Sequence, residues 1–306
     1  MNNSANILYF DEAQHKYTDV LGNPFVSVTT FISEYYDKFD IKAKARQCYQ
    51  AGLRGNPKYA GKSIAQIEAQ WDRARIKGCD NGNVTHNYLE QTIKRATNYK
   101  LVDKTFINGR IYTVPDVITN PGYGEVTLQY FEDALLHIKY PDIYHTLVFF
   151  VGLGYRIYAE IGVFSIEHRI SGLIDVFLIR GDEFIIIDWK TNKGGLRYEA
   201  GYWEKDREGF LTGKYIENYE RMKFPIQDLP ASTGYKYTLQ LSLYAKLASL
   251  FGLKCKDLIL FHIMKDERTQ KETIRLEPIK FLDGHIGKLL SHRLTQVTSN
   301  NNLILS

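Results

Sequence analysis

The residues of this chain that could do chemistry gather in one stretch, Ser171-Gly-Leu-Ile-Asp175-Val-Phe-Leu-Ile-Arg-Gly-Asp-Glu-Phe-Ile-Ile-Ile-Asp188-Trp-Lys190-Thr191. Asp175 interrupts an apolar run. Asp188 closes the apolar run 184–187 and is followed two residues on by Lys190. Strand side chains alternate, so Asp188 and Lys190 project to one face. The Arg180-Gly181-Asp182 turn predicts a hairpin that sets Asp175 on the neighbouring strand. Two carboxylates and an ammonium then meet beside a buried sheet. A charge among Ile and Phe is costly unless it is paired or bound to a metal. Clustered carboxylates also repel each other, which a divalent cation relieves. Hard oxygen donors suit Mg²⁺ or Mn²⁺. Such an ion lowers the pKa of a water and polarises a phosphoryl oxygen, the two needs of phosphodiester hydrolysis. Lys190 would orient that water or stabilise charge building on the phosphate. A plain ion-pair network of Asp175, Asp188 and Lys190 at a strand end accounts for the same residues, and the Asp-x-Lys spacing alone does not choose between the two.

The elements that must position these groups can be read along the chain. Residues 7–10 and 15–18 flank a polar turn and predict a small hairpin, and the run 26–32 leads into a helix. Strong helix formers follow over 63–77, opened by a Ser63/Gln66 capping-box pattern. Gly78 and the Asp80-Asn-Gly82 cluster are expected to break that helix, with a second one over about 83–95. Residues 97–123 read as irregular and 125–138 as a helix. Three β-rich runs then cover 155–164, 169–179 and 183–188. Residues 194–234 show no period and read as a long loop region. A helix over 239–251, strands over 258–264 and 273–278, a last helix over 284–293 and a frayed polar tail at 296–302 complete the order. This predicts an α/β protein with a central mixed sheet flanked by helices over 125–306. A mostly helical N-terminal portion, residues 1–124, packs on it.

Composition excludes several classes. The 306 residues, 44 % hydrophobic and 24 % charged, are globular rather than disordered or fibrous, and the net charge of +4 permits a nucleic-acid partner without arguing for one. Cys48, Cys79 and Cys255 are scattered and odd in number, with no disulfide framework and no Cys-x-x-Cys knuckle. They suit a reducing, intracellular and cytoplasmic setting. No signal peptide is visible at the N-terminus. The most apolar stretch, 146–164, contains Arg156 and Glu160, so it reads as buried core and not as a membrane span.

More pieces of the pattern appear in order. Gly172-x-x-Asp175 is followed by Asp188-x-Lys190-Thr191 and then by Gln240-x-x-x-Tyr244, whose spacing puts both on one helix face. Upstream stand Gly82-x-x-x-His86-x-x-x-Glu90 and Glu160 within Tyr158-Ala-Glu160-Ile-Gly. Together these resemble the PD-(D/E)XK nuclease superfamily and, within it, the RecB-type branch, over about residues 60–265. The motif's proline is here Ile174, an apolar residue that this branch commonly has. Trp71 and the segment 222–237 are similar to standalone viral and mitochondrial-type exonucleases of the branch. The resemblance implies a restriction-endonuclease-like core. It implies His86, Asp175, Asp188, the Trp189 carbonyl and Glu160 as metal ligands, and Lys190 as the catalytic lysine acting with Asp188, Asp175 and Glu160. It implies that Gln240 and Tyr244 steady the DNA or the site.

Aromatic residues interleave with cations on both flanks. Lys193, Arg197, Tyr198, Tyr202, Trp203 and Lys205 follow the Asp-x-Lys strand, and Tyr235, Lys236 and Tyr237 precede Gln240. Such a mix suits single-stranded or frayed DNA, with Lys193 and Lys236 as phosphate contacts; an ordinary solvated loop would look the same. The Gly55…Gly61-Lys62-Ser63 segment has five residues between its glycines, not the four of a phosphate loop. Three cysteines cannot supply the four-cysteine iron–sulfur cluster of several RecB-type relatives, so none is expected. The expectation is therefore a Mg²⁺- or Mn²⁺-dependent deoxyribonuclease acting on DNA ends as an exonuclease, alongside recombination or replication proteins. A phage or other viral source would suit the composition and place it in the host cytoplasm. A structure-specific or restriction-like endonuclease and a non-catalytic nucleic-acid-binding accessory remain as alternatives.

Overall fold

A computed structural model describes residues 7–99, 109–191, 195–208, 210–266, 269 and 271–304. The chain begins with β1 (Tyr9–Asp11), β2 (Lys16–Thr18) and β3 (Pro24–Ser27), then α1 (Val28–Ser33), α2 (Ile41–Leu53) and α3 (Ile64–Ala96). Four short helices follow: α4 (Val114–Thr119), α5 (Leu128–Asp133), α6 (Leu136–Lys139) and α7 (Pro141–Gly152). Next come β4 (Arg156–Ser165), β5 (Ile170–Arg180), β6 (Glu183–Lys190), β7 (Gly201–Lys205) and β8 (Leu211–Glu217). The chain ends with α8 (Thr233–Ser249), β9 (Lys254–Lys265), β10 (Glu272–Pro278) and α9 (Asp283–Ile304). The protein is α/β, with a large mixed sheet flanked by helices, as expected from the order of patterns. No described helix is long and apolar enough to cross a membrane.

The sheet path is β1-β2-β3-β5-β6-β9-β10, with β4 paired to the other edge of β5. β4, β5 and β6 run antiparallel, and β9 joins β6 in parallel after the α8 crossover. Two apolar cores cover the two faces. One packs α1, α8 and α9 on the sheet through residues such as Phe177, Phe184, Leu241 and Leu260. The other packs α3 and α5–α7 through Leu89, Phe131, Ile185 and Phe261. The run of isoleucines in β6 is buried on both faces, which explains why it lacks alternation.

The sheet forks in its middle. The β5–β6 ladder ends at Val176↔Ile187. Beyond it, β6 pairs with β9 alone through Lys190↔His262, while β3 takes the vacated edge of β5 at Ile170 and Ser171. β4 and β5 also lose one pairing, between Ala159↔Val176 and Ile161↔Ile174. Both strands swap faces there. Tyr158 and Phe177 lie in the α8-side core, and so do Ile161 and Ile174, although strict alternation would place them on opposite sides. Glu160, at the swap, has φ 54°, a left-handed value that costs energy in a residue with a Cβ.

Several elements differ from the sequence reading. The expected break at 78–82 is absent, and α3 is one helix of 33 residues. It opens with the Ser63/Gln66 capping box and is anchored at its far end by buried Leu89, Ile93 and Ala96. Two internal glycines cost about 1 kcal/mol each, less than the tertiary packing that holds both ends. The expected helix over 125–138 is two helices, split where Leu135 takes φ 59°. The loop reading of 194–234 overlooked the β7–β8 hairpin, which Arg197 supports with its guanidinium 5.3 Å from the Trp203 ring and 4.6 Å from that of Tyr215. The tail is not frayed: α9 continues to Ile304. Within the irregular stretch 97–123, residues 100–108 lie outside the described residues.

Gly124 sits at φ 109° under Tyr158, and a Cβ there would overlap the phenol ring. Its carbonyl accepts the Ile157 N–H at 2.8 Å, which fixes where β4 begins. Gly124→Ala should therefore lower stability by about 1–3 kcal/mol. Thermal unfolding tests this, and an unchanged melting temperature would mean that the ring does not press on this glycine.

Candidate metal centre and active site

The fork sets three carboxylates in one row. Extending the register places Glu160 of β4 opposite Asp175 of β5, and Asp175 opposite Asp188 of β6. Like charges directly opposed on neighbouring strands repel, and the ladder is broken on both sides of Asp175. With its partner strand gone, the Trp189 N–H donates to the Asp175 side chain, Oδ2, at 3.2 Å. The Trp189 carbonyl leaves β6 on the same edge as its N–H.

Helix α3 delivers His86 to this row, with Nε2 3.1 Å from Asp175 Oδ1. Glu90, one turn on, joins His86 and Glu160, and donor atoms of the three lie within 4.8 Å of one another. Lys94, a further turn on, holds Glu90 at 2.6 Å. The approach of α3 depends on Gly82, where a Cβ would stand 2.8 Å from Thr191 Oγ1. From β6, Lys190 Nζ lies 2.6 Å from Asp188 Oδ2, on the shared face that alternation predicts. From α8, Gln240 Nε2 donates to Asp188 Oδ1 at 3.4 Å and to the Tyr244 hydroxyl at 3.3 Å. Tyr244 fills the fork beneath Gly172, where a Cβ would meet its ring at 2.6 Å.

The electrostatics follow from crowding and burial. Burial, then Asp175 and Glu90, push the Glu160 carboxyl up to about 8. Burial and Asp175 likewise push Asp188 up to about 7 despite Lys190. Burial alone would raise Asp175, but His86, Lys190 and the Trp189 N–H hold it below the ordinary carboxylate value. Burial also opposes charge on His86, yet the Asp175 hydrogen bond and the surrounding carboxylates outweigh it and lift the imidazole to about 9. Lys190 is raised above the ordinary lysine value, since Asp188 and Asp175 outweigh its burial. Without a cation, then, protons on His86 and Glu160 offset the excess negative charge.

The donor set fits a hard divalent cation. Asp188 is 1 % exposed, and its Oδ2 has no hydrogen bond of ordinary geometry although Lys190 stands beside it. His86, Glu90 and Glu160 form the group whose donor atoms lie close enough together to share an ion, while Asp175 adjoins it through His86 and Asp188 lies outside it. Of the residues expected from sequence, His86, Glu160, Asp175, Asp188, Trp189, Lys190, Gln240 and Tyr244 converge here. Lys236 does not join the cluster. It lies in a separate cleft of about 300 Å³ beside Gln240, with Nζ 3.8 Å from the Tyr36 ring centre. Lys193 lies outside the described residues. Glu90 was given no role from sequence, and Tyr237 was expected only among the aromatics that suit single-stranded DNA. Glu90 was legible as the residue one turn after His86. Tyr237, whose ring centre is 5.2 Å from Lys190 Nζ, was legible as one turn before Gln240.

No family model matches the chain, and no curated protein matches it. A solved structure described as the crystal structure of SSO0001 aligns with 71 % of this chain and 87 % of its own, at 14 % identity and a TM-score of 0.24. A score below 0.5 does not establish a common fold.

A cation must displace the protons from His86, Glu160 and Asp188. These groups sit at about 9, 8 and 7, so proton competition weakens as pH rises through that window. Calorimetric Mg²⁺ or Mn²⁺ titrations should show affinity rising from about pH 6 to about pH 9, with protons released on binding. An affinity that does not change with pH would remove His86 and Glu160 from the ligand set.

Proposed function

We propose that the protein is a metal-dependent deoxyribonuclease of the PD-(D/E)XK type, RecB-like, with a restriction-endonuclease-like core. The observation that carries this reading is the convergence of Asp175, Asp188 and Lys190 at the fork of the sheet with His86 above them. A plain ion-pair network would need one carboxylate per cation. Here Glu160, Glu90, Asp175 and Asp188 exceed what His86, Lys94 and Lys190 neutralise, and burial together with the neighbouring carboxylates raises two of them in pKa. A left-handed Glu160 in mid-strand is strain of the kind that functional sites retain.

His86, Asp175, Asp188, Glu160 and the Trp189 carbonyl would hold Mg²⁺ or Mn²⁺, with Glu90 beside them. The bound ion supplies a Lewis acid that lowers the pKa of a water and draws charge from a phosphoryl oxygen. Lys190 remains an ammonium and stabilises negative charge growing on the phosphate. It does not act as a base in this state. Gln240 is a positioning residue: its amide fixes Asp188 Oδ1, and the buried Tyr244 hydroxyl fixes the amide. The Tyr237 ring centre stands 5.2 Å from Lys190 Nζ, within reach of a cation–π contact. The proposed substrate is DNA with a free end, single-stranded or frayed, in replication, recombination or repair. The likeness to standalone exonucleases of the branch supports that choice over an endonuclease.

Asp188→Asn and Lys190→Ala should each lower cleavage by roughly 10²–10³-fold or more while the melting temperature stays near wild type. End-labelled linear single strands, linear duplexes and circular single strands, with Mg²⁺, Mn²⁺ or EDTA, test the reaction itself. Metal-dependent loss of linear substrates alone supports the exonuclease, and cutting of circles points to an endonuclease. No cleavage of any substrate with either metal would sink the nuclease reading.

A further inference from the structure

A groove of about 1200 Å³ leads away from the site along α3. Its lining includes Arg75, Lys77, Lys139, Lys190, Lys205 and Lys265 but, among the described residues, only one acid, Glu272. Arg75 is paired with Asp72, and Lys190 with Asp188. Lys77, Lys139, Lys205 and Lys265 are exposed and form no ion pair within 4 Å among the described residues, although Lys265 stands opposite Glu272 in the β9–β10 ladder and Lys139 Nζ lies 4.2 Å from the Tyr88 ring centre. The groove itself is therefore cationic, with six Lys or Arg side chains against one carboxylate. Such a surface is complementary to a polyanion.

Three features narrow the polyanion. At the far end, Phe39 stands 65 % exposed with its ring 5.7 Å from that of Trp71. Aromatic faces left in water beside cations suit unpaired bases; a duplex keeps its base faces stacked inside. At the near end Trp189 lines the groove, is 3 % exposed, and its Nε1–H has no hydrogen-bond partner. Between them Gly78 faces the groove, and a Cβ there would meet nothing within 4 Å. Gly82 is explained by Thr191, but no contact within the protein explains Gly78. A glycine that weakens a helix by about 1 kcal/mol and clears only the groove leaves room for a ligand's close approach.

We propose that this groove seats a single DNA strand, which lies along α3 from Trp71, crosses the helix at Gly78 and reaches Lys190. That the strand ends at the reacting centre rests on the nuclease reading above; the seat itself does not. Trp71 and His86 are fifteen residues apart on one helix, about 22 Å, room for about six stacked nucleotides at ~3.4 Å each.

The test is fluorescence anisotropy of a labelled oligothymidylate and of an equally long duplex, in EDTA, so that no cleavage intervenes. Gly78→Leu places a side chain in open space and should leave the melting temperature unchanged or raised. It should weaken single-strand binding about tenfold or more. Trp71→Ala should weaken it roughly 5- to 150-fold, the loss of one stacked base. Lys265→Glu should weaken it and flatten its salt dependence. Lys256→Glu makes the same charge change at the other end of β9 and should matter far less. Folded Gly78→Leu and Lys265→Glu proteins that bind the single strand as wild type does would overturn the proposal, as would equal losses for single strand and duplex. Groove-dependent binding by a protein that cleaves nothing would leave the seat standing and remove the nuclease reading. Cleavage by a protein whose binding ignores these variants would do the reverse.

Discussion

Three carboxylates in register on three adjacent strands are the constraint around which this molecule is arranged. Glu160, Asp175 and Asp188 would lie side by side in an uninterrupted antiparallel sheet, with no water to screen them. Instead the sheet opens at that row. β6 parts from β5 and keeps only β9, β3 moves onto the edge of β5 that β6 left, and β4 and β5 exchange faces around Glu160 and Asp175. The left-handed Glu160 and the backbone hydrogen bond from Trp189 to Asp175 are local consequences of the same opening.

The fork also lets both helical layers reach one point. His86 and Glu90 descend from α3 on one face of the sheet, while Gln240 and Tyr244 rise from α8 on the other. In a continuous sheet these groups would be separated by a backbone layer. Glycines permit the contact on both sides: Gly82 lets α3 meet Thr191, and Gly172 lets Tyr244 enter the gap. The cationic groove extends from the same opening along the exposed middle of α3. A long helix pinned at its two ends therefore carries both a metal-ligating histidine and one wall of a binding surface.

Much of this was legible in the residues alone. The hairpin around Gly181, the common face of Asp188 and Lys190, and the facing pair Gln240 and Tyr244 follow from periods of two and 3.6 residues, and periodicity is a local property. The strand that follows α8 was legible as well, though its parallel pairing with β6 is seen only in the structure. The N-terminal boundary of α3 was equally clear, since its capping box lies within four residues.

What the sequence did not determine depends on partners distant in the chain. Glycines at 78 and 82 read as helix breakers because local propensity disfavours them, but packing at Ile67 and at Leu89–Ala96 carries the helix through. The β7–β8 hairpin has no regular period and is organised by Arg197 between two aromatic rings, a contact between side chains well apart in sequence. The sequence by itself determined which residue types the site would contain and on which elements they stand, because those follow from alternation along each strand and helix. Only the tertiary structure decided that Glu160, Asp175 and Asp188 share one row, that the sheet opens there, and that His86 and Glu90 meet Glu160, because each of these depends on register between segments that local pattern does not couple.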